Sequence, residues 1–138
     1  MRHLLDTDVF IAAIYARHVL HRPARAWLDA AKPAGWGIAV ETYLAAVRLL
    51  MNPSVMGSGA LDAANALAAV EAELAGRHPG KIVLARGQPQ REIIGRAQGH
   101  KQVMDFWLVQ LARQEACMLA TCDAGLAANW PDGVVKIA

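Results

Sequence analysis

His3-Leu4-Leu5-Asp6-Thr7-Asp8-Val9 decides how this chain is read. A short apolar run ends on an acid, and a helical period begins at once with Val9, Ile11, Ala12 and Tyr15. A strand that hands over to a helix in this way sets Asp6 at the strand's carboxyl end. The pattern returns near the other terminus, where Cys117-Met118-Leu119-Ala120-Thr121-Cys122 runs into Asp123. Between them, Gly37-Ile38-Ala39-Val40 precedes Glu41, and Asp105 stands at the head of an amphipathic helix. Open α/β sheets bind ligands in the crevice outside the carboxyl ends of their strands. Carboxylates gathered there repel one another unless a cation neutralises them, so the pattern points to a metal site.

Outward from these anchors, further strands are predicted over residues 81–85 and 134–137. Helices are predicted over 21–31, 41–51, 61–75, 103–115 and 124–129, with Pro33, Gly35 and Asn52-Pro53 as stops. The inward face of 61–75 is read as Leu61, Ala64, Leu67 and Ala68; that of 103–115 as Met104, Trp107, Leu108, Leu111 and Ala112. Residues 87–99 are polar, with room for one short helix. Strands alternating with helices imply an α/β fold, a parallel sheet covered on both faces.

The chain has 138 residues and is 55% hydrophobic, enough for one domain over 1–138 with a full core. Nothing approaches the 18 or so consecutive apolar residues of a membrane span, and the opening residues read as a strand, not a cleaved leader. Cys117 and Cys122 read as reduced core thiols, and a cytoplasmic location is expected. Net charge is +2, unevenly spread. Residues 77–101 hold six basic side chains against the single acid Glu92, while the remainder has eight basic and eleven acidic. A basic segment beside an acidic site suits a polyanionic substrate; the alternative is a solvated, mobile loop.

Each acid also has a structural reading. Asp8, Asp105 and Asp123 stand where helix N-caps belong, and Glu41 suits a helix's first turn. Asp6, two positions ahead of the cap-competent Asp8, then needs a reason of its own. Asp6 and Asp8 after a strand have a precedent in haloacid-dehalogenase-like phosphatases. That chemistry also requires a downstream lysine and paired acids; Lys81 is the only internal lysine in a strand, and no paired acids follow.

A second precedent covers the whole chain. Leu4-Leu5-Asp6-Thr7-Asp8-Val9, then Arg48-Leu49-Leu50-Met51-Asn52-Pro53, then Gly99-His100-Lys101-Gln102-Val103-Met104-Asp105, and finally Leu119-Ala120-Thr121-Cys122-Asp123 follow one another in order. This set resembles the PIN-domain ribonucleases, in particular the toxin components of VapBC-type toxin–antitoxin pairs. The resemblance implies a three-layer α/β/α fold with a four- to five-stranded, mainly parallel sheet. It implies an endoribonuclease using Mg²⁺, with Mn²⁺ as a substitute. Asp6, Asp105 and Asp123 would hold the metal, and Glu41 would be the fourth catalytic acid. Thr121 would orient the pocket, and Thr7 and Asp8 would support it by hydrogen bonds. Arg48 is read as a supporting salt bridge to an acid of the pocket, the alternative being that its stem covers the helix face. Met104 departs from the family, which often has threonine there.

The implied reaction is hydrolysis by a metal-activated water, leaving a 5′-phosphate and a 3′-hydroxyl. No Ser–His or Cys–His pair stands out as a nucleophile. The implied partners are RNA, a cognate antitoxin and a second copy of the chain, with no membrane. Ile14, Tyr15 and Trp27 are expected on the surface that takes the antitoxin helix or the second copy. A non-catalytic PIN-like module, binding RNA or protein through an incomplete pocket, is the competing reading.

Overall fold

In the computed structural model, which describes residues 1–138, the N-terminal apolar run is the central strand of a five-stranded sheet. Strand β1 (His3–Leu5) lies between β2 (Trp36–Ala39) and β4 (Met118–Thr121), and β3 (Lys81–Val83) and β5 (Val134–Lys136) form the edges. Every pairing is parallel, in the order β3-β2-β1-β4-β5. The chain works outward from β1 to β3, then crosses to the far side of β1 to lay down β4. That reversal places the topological switch point between β1 and β4.

Leu4 and Leu5 are both fully buried, as a strand covered on both faces requires. Leu5 and Ile38 point into one core with helices α1 (Thr7–Ile14), α2 (His21–Ala31) and α3 (Val40–Met51). A one-turn α4 (Pro53–Met56) leads to α5 (Ala63–Leu74), which completes that layer. Leu4, Ala39, Val83 and Leu119 point into the opposite core, built on α6 (Arg91–Ile94), α7 (Val103–Gln114) and α8 (Ala124–Asn129). The result is the expected three-layer arrangement, with a sheet that is entirely parallel. At Gly37 the neighbouring backbone comes so close that a Cβ would lie 2.5 Å from the Lys81 carbonyl oxygen, so β2 and β3 can pair only over a glycine. No helix is long and apolar enough to cross a membrane.

Two predicted faces differ. In α5 the inward residues are Ala66, Val70 and Leu74, while Leu67 is exposed. Asp62 caps the helix by accepting from Asn65 N–H at 2.8 Å. Alanines on every side leave the phase to be set by packing on α3 and α1. In α7, Phe106 and Val109 join the buried set, because the helix is covered by α6 as well as by the sheet. Met104 is excluded from that set and is 51% exposed.

Candidate active site

Asp6 follows β1 and starts α1. Its Oδ1 accepts from the Val9 N–H at 2.8 Å, so Asp6 itself is the N-cap and Asp8 falls in the first turn. Its Oδ2 accepts from the Thr121 hydroxyl at 2.5 Å. Thr121 ends β4 and is fully buried, and its Oγ1 accepts in turn from the Asp123 N–H at 3.0 Å. One hydroxyl thus stitches the switch point together. Asp6 is only 4% exposed. Burial pushes its carboxyl up to about 6; the bonds from Thr121 and Val9 oppose this, and the charges of Asp8 and Asp105 add to it.

Asp105 occupies the first turn of α7 and is half-buried. Its carboxyl is also pushed up to about 6, by burial first, then by the charges of Asp123 and Asp8. Asp123 is exposed, and its Oδ1 caps α8 by accepting from the Gly125 and Leu126 N–H groups at 2.8 and 3.1 Å. Asp6, Asp8, Asp105 and Asp123 therefore share one negative field at the carboxyl ends of β1 and β4.

Glu41 is not among the charges that shift Asp6 or Asp105. It lines a crevice of about 420 Å³ between α3 and α7, together with Thr7, Leu44, Arg48, Met104 and Asp105. Its Oε2 is buried and has no hydrogen-bond partner. The Thr7 hydroxyl meets that of Thr42, fully buried in α3, at 3.2 Å. Thr42 went unread in the sequence, where only its place beside Glu41 at a strand–helix junction could have marked it. Arg48 is exposed and forms no ion pair within 4 Å, so the predicted bracing salt bridge is not made. Its place near the end of α3 leaves the guanidinium in solvent at the crevice rim.

The donors at this site are carboxylates and hydroxyls, and two of the carboxyls are held above their ordinary range partly by like charge. That chemistry fits a hard divalent cation. No three His, Cys, Asp or Glu side chains converge closely enough to hold an ion by direct bonds. The fit is therefore to Mg²⁺ or Mn²⁺, which accept one or two carboxylates and keep several waters. A larger hollow, about 680 Å³, opens at the amino ends of β1 and β4 beside Arg2, Cys117, Met118 and Asp132. It is the wrong end of the sheet for the acids, so size does not mark the chemistry here.

The basic segment is neither a free polycation nor a loose loop. Lys81 and Arg86 pair with Glu115 at 2.7 and 3.0 Å, and Arg96 stacks on the Trp130 ring at 3.8 Å. Arg77, Arg91 and Lys101 are left exposed without an ion pair. Gln110 donates to the Gln88 carbonyl at 3.0 Å and accepts from the Gln90 N–H at 2.9 Å. One turn later, Gln114 donates to the Leu84 carbonyl and accepts from the Arg86 N–H, both at 2.8 Å. On the opposite layer, Ile14, Tyr15 and Trp27 are each half-buried against the core.

The PIN domain family model matches residues 3–129. Three proteins of Mycobacterium tuberculosis are similar over most of their length. Ribonuclease VapC29 is 35% identical over 99% of this chain and 97% of its own. Ribonuclease VapC39 is 33% identical over 99% of both, and Ribonuclease VapC38 is 32% identical over 89% of this chain and 86% of its own. The match spans nearly the whole chain, the parallel three-layer architecture is consistent with it, and this chain belongs to the PIN domain family.

Proposed function

We propose that this protein is a divalent-metal-dependent endoribonuclease, the toxin of a VapC-type toxin–antitoxin pair acting in the cytoplasm. The observation that carries the reading is the crowding of Asp6, Asp8, Asp105 and Asp123 at the switch point, with two of these carboxyls pushed up to about 6. The similarity to proteins named as ribonucleases supports RNA as the substrate. Asp6, Asp105 and Asp123 would hold Mg²⁺ directly or through its bound waters, with Mn²⁺ able to replace it. When bound, the ion supplies Lewis acidity and neutralises charge at the scissile phosphate.

The chain's own groups do the positioning. Thr121 fixes the Asp6 carboxylate from one side while Val9 N–H holds it from the other. Glu41, which lines the crevice with Asp105, would accept a proton from the attacking water. Arg48, free at the rim, grips a substrate phosphate. Water adds to phosphorus as the bond to the 3′-oxygen breaks, and that oxygen leaves with a proton. The products are a 5′-phosphate and a 3′-hydroxyl. A cognate antitoxin and a homodimer complete the proposal.

The test is cleavage of a mixed RNA pool with Mg²⁺, Mn²⁺ or EDTA, beside Asp6→Asn and Asp105→Asn. Asparagine caps helices as well as aspartate does, so Asp6→Asn should fold. Metal-dependent cutting lost in both variants is the expected result. Equal cutting by the variants, or release of a 2′,3′-cyclic phosphate, would overturn the proposal.

A further inference from the structure

Beside the acid crevice lies a second hollow of about 260 Å³, lined by Pro89, Ile94, Val103, Met104 and Trp107, with Glu41 at its edge. The two hollows share Glu41 and Met104, so these side chains form a common wall. Except for Glu41 the slot is apolar. Val103 and Met104 are both exposed, immediately ahead of Asp105, and contribute little to the core. The slot is also built on fixed parts. Pro89 sits between Gln88 and Gln90, both held by Gln110, while Val103, Met104 and Trp107 share the first two turns of α7.

We propose that this slot takes one unpaired nucleobase of the RNA, next to the scissile phosphate, stacked on Trp107 and packed against Met104. The inference rests on the endoribonuclease reading and assigns that substrate a base-binding subsite. Proteins read single-stranded RNA by splaying bases onto aromatic side chains and hydrogen-bonding their edges. The stack accepts any base, with modest preferences among them. The slot presents almost no polar surface, so its base preference follows stacking strength and fit against Met104. Continuity with the acid crevice selects the occupant: a chain whose phosphate lies at Asp105 must place an adjacent nucleoside within reach of the shared wall.

The test compares wild type with Met104→Ala and Trp107→Ala. Met104 is largely exposed, so its variant keeps the fold even if loss of Trp107 does not. Mapping cut ends in a mixed RNA pool should show a wild-type base preference beside the scissile bond that Met104→Ala flattens. Binding of a fluorescein-labelled, mixed-sequence single-stranded RNA is read by anisotropy in the non-cleaving Asp6→Asn background with Mg²⁺. It should weaken about tenfold with either substitution, the scale of one lost stacked base. Metal-dependent cutting with an unchanged preference would overturn the slot and leave the endoribonuclease reading standing. If wild type does not cut, that reading fails and binding decides. Weakened binding would keep the base slot, and unchanged binding would overturn it and leave the slot to a protein partner.

Discussion

Thr121 uses its single hydroxyl twice, toward the Asp6 carboxylate and from the Asp123 amide. Thr121→Val keeps the shape and removes both bonds, leaving a buried carboxylate oxygen unpaired. The expected loss is roughly 1–3 kcal/mol in urea unfolding. Cleavage should fall further than stability explains, and Thr121→Ser should restore much of it; a silent Thr121→Val would remove the threonine from the site. Arg48 gives the opposite signature. With no ion pair to lose, Arg48→Ala should change stability by no more than about 0.5 kcal/mol while raising the KM for RNA. A marked drop in stability would show that the side chain braces the fold after all. At this scale the sequence revealed which acids leave strand ends. It did not reveal that Asp6 is the cap of α1, because Asp6 and Asp8 are both competent and only the hydrogen bond to Val9 chooses between them.

Helix α7 does more than carry Asp105. Gln110 and Gln114, one turn apart, hold residues 84–90 by four hydrogen bonds to backbone groups. The double variant Gln110→Ala/Gln114→Ala should raise amide hydrogen exchange at Arg86 and Gln90 at least tenfold while leaving β1 protected. Unchanged exchange there would mean that the ion pairs of Glu115 suffice to order the segment. Most element bounds were legible, to within a residue or two, because strand-to-helix switches and caps are local signals. α2 was read over its full length, and α7 to within one residue of its end. The phase of α5 was not legible, since Ala63, Ala64, Ala66, Ala68 and Ala69 make it apolar all round. Nor was the clamp on 84–90, because its partners are backbone groups of a distant segment and leave no mark on the glutamines. The meeting of Glu41 with Asp105 in one crevice is of the same kind: they come from α3 and α7, helices that cover opposite faces of the sheet.

The whole molecule carries its site as a liability when no cation is present. Asp6 and Asp105 bind protons more tightly folded than unfolded, with carboxyls near 6 against an ordinary 3.8. Their stabilising contribution is full below 3.8 and disappears as pH rises through about 6. For Asp6 the change corresponds to roughly 3 kcal/mol. Glu73 has the reverse sign: burial raises its carboxyl, but bonds from Arg25 and Lys32 outweigh that and lower it. Its contribution is therefore present above 4.5 and fades as pH falls through the lowered value. In EDTA, the urea midpoint should be higher near pH 5 than at pH 7.5. Mg²⁺ should recover part of the difference at pH 7.5, and Asp105→Asn should flatten the profile. A midpoint independent of both pH and Mg²⁺ would sink this account. Sheet order has a temporal consequence as well. The bond from Thr121 to Asp6 spans 115 residues, and β4 is the second neighbour that β1 lacks until late. At a synthesis rate of about 5–20 residues per second, the first acid waits roughly ten seconds for the threonine that orients it. On the proposed reading, a nascent chain on the ribosome, surrounded by RNA, is thus unarmed until β4 has been made.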